Sequence, residues 1–260
     1  MSLFLLAFAL SYLYHGLGIT LGYHRLLSHR SFKVPVWFEY FLVSGAYLSL
    51  EGAPIFWVTT HRLHHRYSDH KGDPHSPKDG FWYAFLGWMF RPLVTITNVE
   101  QQKTSPDLFR DPLYRFLHFG GRGLDGLMCL LFVIVFRLII WLVAGPTVLA
   151  GSLAGMALAF ISPLMVNSFC HIPCFGYRTF PISDQSRNVW FVAFTSFGEG
   201  WHNNHHAIPQ SARHGLKKWE FDLSWIVIKL LAYFGIASDI KLPKAAAVAA
   251  ALVRDSQEGR

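Results

Sequence analysis

Charged side chains are scarce in this chain. Asp, Glu, Lys and Arg make up 15% of its 260 residues, whereas soluble globular proteins carry about 25%, which argues against an ordinary soluble enzyme. The shortage is concentrated: residues 1–23 contain none of the four, and 138–177 form a 40-residue stretch without one. Cysteine is also rare. The three present, Cys129, Cys170 and Cys174, lie in or beside apolar segments and read as packing thiols rather than a disulfide framework or metal ligands, which suits a reducing cytoplasmic face. No basic region precedes the first apolar run and no cleavage site is evident, so no secretory signal is expected.

What is present points the other way. Hydrophobic residues make up 52% of the chain and aromatics 16%, beside 14 His and a net charge of +7. This composition argues against disorder and describes a membrane protein with a basic, histidine-rich face. About 20 apolar residues span a bilayer as helix, which places spans at about 3–22, 127–145 and 147–166, with Gly145-Pro146 as the tight turn of a helical hairpin. A fourth apolar stretch, about 36–58, is broken by Glu39, Glu51, Gly52 and Pro54. Charge decides how to read it: 12 Lys and Arg lie between residues 25 and 122, and 10 follow residue 177. The positive-inside rule puts both groups on the cytoplasmic side, which the hairpin permits only if 36–58 is interfacial or re-entrant. The expected fold is an all-α integral membrane protein whose transmembrane helices are topped by a helical cytoplasmic cap. Arg137 alone sits within a span, at a cost on the order of 2.5–3.5 kcal/mol, and two readings stand for it: a functional role, or snorkelling to the far headgroups.

The histidines are grouped. His61, His64 and His65 form HxxHH, and His202, His205 and His206 repeat it. On a helix, positions i, i+3 and i+4 share one face, so each triplet aims three imidazoles at one point, an arrangement hard to explain without metal. His24 and His29 form HxxxxH, about 140° apart on an ideal helix; they supply two ligands only if the helix ends or distorts between them, or if they serve different metals. His171 follows the last span, giving nine candidate ligands, too many for one ion. Isolated histidines are more often structural, and His15, His70, His75, His118 and His214 are read so. A zinc hydrolase needs a Glu after the first His of its motif, where Arg62 and Asn203 stand here. A carboxylate di-iron site needs two Glu-x-x-His motifs, and only Glu199-Gly200-Trp201-His202 has that spelling near the boxes. An all-histidine di-iron site fits better.

At these residues the chain resembles the membrane fatty acid desaturases, above all the delta-9 group that includes animal acyl-CoA and bacterial acyl-lipid desaturases. The resemblance runs from about Gly16 to Lys241 and rests on Gly18-Ile19-Thr20, His24 to Phe32, His61 to His65, Asp73-Pro74-His75, Gly80-Phe81, Asn167-Ser168, Gly176-Tyr177-Arg178 and Gly198 to His206, in that order. It implies a desaturase domain over 1–241 with a tail at 242–260. All nine histidines would ligate two irons (Fe2+), with Asn167 contributing through a water. It implies an O2-dependent enzyme placing a cis double bond, at delta-9, into a saturated acyl chain, with its active site on the cytoplasmic side. Another span normally precedes the one ending in the first box, where this chain begins. Animal acyl-CoA enzymes carry a basic pair before the Gly-Phe after box two; Lys78-Asp79 stands here and favours a glycerolipid-bound chain over an acyl thioester.

Along the first span, Phe8 and Tyr12 lie about 24 and 18 Å before His24 by helical rise and share a face. They are expected to shape the far end of a substrate tunnel, or else to pack or face lipid. No haem-binding domain follows residue 241, so the expected electron donor is a separate ferredoxin or cytochrome b5-like protein. Arg62, Arg66, Lys71, Arg213, Lys217 and Lys218 are expected either to steer it or to face anionic lipid. No nucleic-acid partner is expected. Rival readings are a fatty acyl hydroxylase on the same scaffold and, from another class, a membrane metal transporter. Transporters place ligands within spans near the midplane, not at span ends.

Overall fold

Helices joined by turns make up nearly all of the regular structure. The computed structural model of the chain describes residues 2–246, 248 and 249, and the backbone alone at Arg122. In chain order the helices are α1 (Leu3–Leu17), continued by a π-helix over Gly18–Ser28, then α2 (Val36–Tyr47) and α3 (Pro54–Tyr67). A π-helical segment, Tyr83–Gly87, runs into α4 (Trp88–Phe90). There follow α5 (Asn98–Thr104), α6 (Pro112–Phe116), α7 (Arg122–Phe169), α8 (Trp190–Thr195), α9 (His202–Ala207) and α10 (Leu223–Tyr233). Among the described residues the only β pairing is three isolated bridges. Two helical stretches, Leu3–Ser28 and Gly123–Phe169, are long and apolar enough to cross a membrane. The tail expected from residue 242 falls mostly on positions outside the described residues.

The chain divides into two compact units, the first comprising Met1–Ser28, Val36–Leu63 and Val94–Ile161. Within it α7 is interrupted at Gly145, whose φ of 80° and ψ of 177° lie in a region glycine tolerates and other residues avoid. Pro146 follows. Arg137 and Ser152, on either side of this break, hydrogen-bond to each other, so the limbs 122–144 and 146–161 fold back side by side. Glycines let the helix backbones approach: a Cβ on Gly155 would sit 2.8 Å from Tyr12 N, and one on Gly45 would sit 2.6 Å from Tyr14 O, the small-residue packing typical of apolar bundles. The apolar core includes Ile19, Tyr23, Val43, Ile55, Val58 and Ala159.

The two acids that interrupt 36–58 have partners in this unit. Glu39 Oε1 accepts from Tyr114 O–H at 2.5 Å, and Glu51 Oε2 accepts from Trp57 Nε1–H at 2.8 Å. Arg137 is only 6% exposed, and its guanidinium donates to Ser152 Oγ and to His15 Nε2, the latter at 2.7 Å. His15 Nδ1–H in turn donates to Gly45 O at 2.7 Å. The arginine therefore locks α1, α2 and both limbs of α7 together. Snorkelling is the wrong reading: polar partners inside the bundle satisfy the charge without its reaching a headgroup.

The second unit comprises His29–Pro35, His64–Leu93 and Ser162–Arg260. Its apolar core gathers Val166, Cys170, Val189 and Val192. Cys129 and Cys170 are buried, as packing thiols should be, but Cys174 is exposed. α9, six residues long, is too short to hold itself, and the two asparagines between its histidines hold it. Asn203 Oδ1 accepts from Thr179 N and Phe180 N, both at 2.7 Å. Asn204 Nδ2 donates to His214 O at 3.0 Å and Glu220 Oε2 at 2.9 Å, and its Oδ1 accepts from Asn188 at 2.9 Å.

Candidate metal centre

Four histidines of the second unit converge. His64 of α3, His171 just after α7, and His202 and His206 of α9 each offer a ring nitrogen, and those nitrogens lie within 4.8 Å of one another. Three of the four rings are held from behind by a carboxylate. His64 Nδ1 lies 2.9 Å from Asp73 Oδ1, His171 Nδ1 lies 2.8 Å from Asp69 Oδ2, and His206 Nδ1 lies 2.9 Å from Asp184 Oδ2. An ionised carboxylate only accepts, so each Nδ1 carries a proton and each Nε2 is the nitrogen left to face the group. The carboxylates are themselves fixed by backbone donors: Asp69 N gives to Asp73 Oδ2 at 2.9 Å, Gln185 N to Asp69 Oδ2 at 2.7 Å, and Ser186 N to Asp184 Oδ1 at 2.9 Å.

This donor set fits a metal cation. His206 Nε2 is buried with no hydrogen-bond partner, while His171 Nε2 and His202 Nε2 stand 2.9 Å apart. Burial, reinforced by the neighbouring imidazoles, holds His202 and His206 well below the usual histidine range, so both are neutral, as ligands must be. Burial opposes ionisation of Asp73, but the His64 ring beside it prevails and holds the carboxyl below its usual range. Burial likewise opposes Asp69, and His171 overcomes it. Ring nitrogens in front and carboxylates behind form the carboxylate–histidine–metal pattern that sets tautomer and raises ligand basicity.

The remaining candidate ligands form two smaller sets. In the second unit His29, His65 and His205 sit together, with His65 and His205 Nε2 atoms 2.9 Å apart and the His29 ring 4.7 and 4.6 Å from theirs. In the first unit the rings of His24 and His61 lie 4.5 Å apart, and Trp57 stacks on His61 at 5.3 Å. The distortion that HxxxxH demands is present: Gly18–Ser28 is π-helical, and Arg30 turns the chain at a φ of 50°. π-helical turns recur at functional sites. They also carry more residues per turn than an α-helix, so Phe8 and Tyr12 lie nearer to His24 along the axis than α-helical rise implies. The two rings, both half-buried, stack at 6.1 Å. Asn167 is half-buried in the last turn of α7.

Among the isolated histidines, His15 serves Arg137, His118 Nδ1 pairs with Asp125 at 3.0 Å, and His70 Nδ1 donates to Ser68 O at 2.7 Å. His75 and His214 differ. Both are buried; His75 stacks on His64 at 4.4 Å, and His214 lies 4.4 Å from His205 and 3.1 Å from Glu199 Oε2. Asp69 and Asp184 were not foreseeable from spacing, because no regular offset links Asp184 to His206 or Asp69 to His171. The basic face is smaller than expected. Arg62 clamps Asp107 through two bonds of 2.8 and 3.0 Å and caps the carbonyls of Leu27 and Ser28, groups a helix end leaves unsatisfied. Lys217 is buried over the Tyr177 ring, and Arg213 donates to Leu216 O. Arg66, Lys71 and Lys218 remain exposed.

Residues 2–227 match the family model described as fatty acid desaturase. The chain is 42% identical to delta-9 acyl-lipid desaturase 2 of Arabidopsis thaliana, covering 90% of this chain and 73% of that one. It is also 42% identical to sn-1 stearoyl-lipid 9-desaturase of Anabaena variabilis, over 87% and 79% of the respective lengths. An acyl-CoA C20 Delta5-desaturase of Anemone leveillei matches at 40%, over 92% and 74%.

Proposed function

Since this chain belongs to the fatty acid desaturase family, we propose that it is an O2-dependent oxidoreductase that introduces a cis double bond at delta-9 into a saturated, glycerolipid-bound acyl chain. One observation carries the reading: three carboxylate-backed histidines and a fourth neutral one converge on a single point, a donor set built for a cation. We assign all nine histidines to two irons, His64, His171, His202 and His206 holding one of them, and Asn167 contributes through a water. Bound there, the metal pair would supply what no side chain has, the power to use O2 to break unactivated C–H bonds.

The rest is done by the chain's own groups. Asp69, Asp73 and Asp184 keep the Nε2 lone pairs of His171, His64 and His206 forward and place negative charge behind them. Asn203 and Asn204 fix the pitch of α9. Burial of the four rings keeps bulk water away, which guards against side reactions. The active site faces the cytoplasm, where the positive-inside rule gathers the basic residues, and a separate one-electron carrier serves as donor. The segment 36–58 is interfacial or re-entrant rather than a further span. Phe8 and Tyr12 shape the far end of the acyl tunnel, and a Tyr12→Ala variant is expected to shift chain-length preference; an unchanged preference would remove Tyr12 from that role.

The glycerolipid reading rests on two of the named relatives and on the exposed Lys78-Asp79 pair, where animal acyl-CoA enzymes carry two cations. Expression in a host with fatty acid analysis tests the reaction type. New monoenes are expected. Hydroxy acids would make the protein a hydroxylase, and metal uptake with unchanged lipids a transporter.

A further inference from the structure

The segment 64–93 supplies His64 to the four-histidine group and then runs outward. His64 is stacked at 4.4 Å by His75, and the Trp88 ring lies tilted against His75 at 5.2 Å. His64 and His75 are buried and Trp88 is half-buried, so three rings in close succession lead from the group toward the surface. Tyr83 pins this arrangement: its hydroxyl donates to Pro74 O at 3.1 Å and accepts from Leu93 N at 3.0 Å, tying the residue before His75 to the stretch that carries Trp88. Neither His75 nor Trp88 is among the residues assigned to iron above. Outside, the same segment exposes Arg66, Lys71, Lys78 and Arg91 against a single exposed carboxylate, Asp79. The same segment also carries the open rings of Trp82 and Phe90, 74% and 76% exposed.

We propose that this face docks the electron donor, an acidic one-electron carrier protein, and that electrons pass by way of the Trp88 and His75 rings to His64 and the iron it holds. The proposal rests on the iron-dependent desaturation proposed above. Its balance is complete: one –CH2–CH2– unit, one O2, two electrons and two protons give one –CH=CH– unit and two waters, and two reduced carriers are each oxidised by one electron. Electron transfer slows steeply with the gap to be crossed, so ring-to-ring contacts make this the short route from a surface of matching charge. Complementary charge raises the encounter rate by about 10- to 1,000-fold at low salt. Anionic lipid would also suit the cations, but a lipid headgroup gives no reason for a chain of rings ending on a histidine ligand.

The test uses the full chain in nanodiscs of zwitterionic phosphatidylcholine, with a reduced plant-type [2Fe–2S] ferredoxin as probe. The triple variant Lys71→Glu, Lys78→Glu, Arg91→Glu is expected to weaken ferredoxin binding at least tenfold at low salt while keeping its iron. Trp88→Leu is expected to leave that affinity unchanged and slow single-turnover ferredoxin oxidation at least tenfold, with Trp88→Phe restoring most of the rate. Native affinity in the triple variant would overturn the docking face, as would a loss confined to discs containing phosphatidylglycerol. A native oxidation rate in Trp88→Leu would overturn the route. A native chain that takes up no iron would fail the function proposed above instead; the binding comparison is made on that chain as well and still decides the docking face.

Discussion

Replacing Asp69 by alanine removes a carboxylate that touches no metal and should nonetheless loosen iron. Asp69 Oδ2 accepts from His171 Nδ1 at 2.8 Å and from Gln185 N at 2.7 Å. Without it His171 loses the partner that sets its tautomer, and its ring is free to present Nδ1–H or to rotate. Outer-shell partners of this kind are typically worth 10- to 100-fold in metal affinity, which is about 1.4–2.8 kcal/mol. The buried His171 Nδ1 donor is also orphaned, at roughly 1–3 kcal/mol, and the half-buried Gln185 N loses its acceptor, so the second unit should lose stability as well. Asp69→Asn separates the effects: its amide oxygen still accepts both bonds but brings no charge, and it should fall between native and alanine. The assay is iron retention against a graded chelator, with metal counted per chain. An Asp69→Ala chain that holds iron as tightly as the native one would refute the claim that carboxylates set the ligand geometry.

Further expectations follow from the same geometry. His64→Ala should abolish activity through loss of iron, and full activity with a full iron complement would remove His64 from the ligand set. Acidification should destabilise the folded second unit: His202 and His206 are held well below the usual range, whereas in the unfolded chain they titrate near about 6.5. Below that value the unfolded state binds more protons, so stability falls as pH drops until the folded pKa values are reached. His64, whose pKa is raised against burial by Asp73, acts in the opposite sense, but burial also holds His75 down to about 3, so one group stands against three. Iron release and unfolding temperature followed from pH 7.5 to 5 check this, and a flat or rising profile would contradict it. Arg137→Leu should lower the unfolding temperature in nanodiscs without lowering iron content, since it strips His15 and Ser152 of a buried partner at roughly 1–3 kcal/mol per orphaned group; an unchanged unfolding temperature would mean that the arginine is no lock.

Much of the ligand set was legible because helical periodicity is a local property. HxxHH needs only a helix to bring three imidazoles to one face, and α3 and α9 are helices, but neither triplet meets at one point as expected: His64, His202 and His206 join His171, while His65 and His205 pair beside His29. The Gly145-Pro146 hairpin turn was legible for the same reason: glycine and proline act on their own backbone. What sequence could not show was nonlocal. Asp184 reaches His206 across 22 residues and Asp69 reaches His171 across 102, and no period links them. Arg137 had two open readings because its partners, His15 and Ser152, lie on another helix or beyond a turn. Lys217 and Arg62 looked like surface cations because a basic residue's composition reveals nothing of the aromatic ring or carbonyl that it covers. The π-helix over Gly18–Ser28 was legible only as a requirement: HxxxxH demanded a distortion without specifying one.

The central claim is that this histidine centre removes two hydrogens from an acyl chain still attached to its glycerolipid. The direct measurement is mass spectrometry of intact lipids after the iron-loaded chain in nanodiscs has turned over a stearoyl glycerolipid with O2 and a reduced ferredoxin. The account predicts an intact lipid lighter by two hydrogens, with one cis double bond at delta-9. A lipid heavier by one oxygen, or product formed only when the acyl chain is supplied as a thioester, would contradict it.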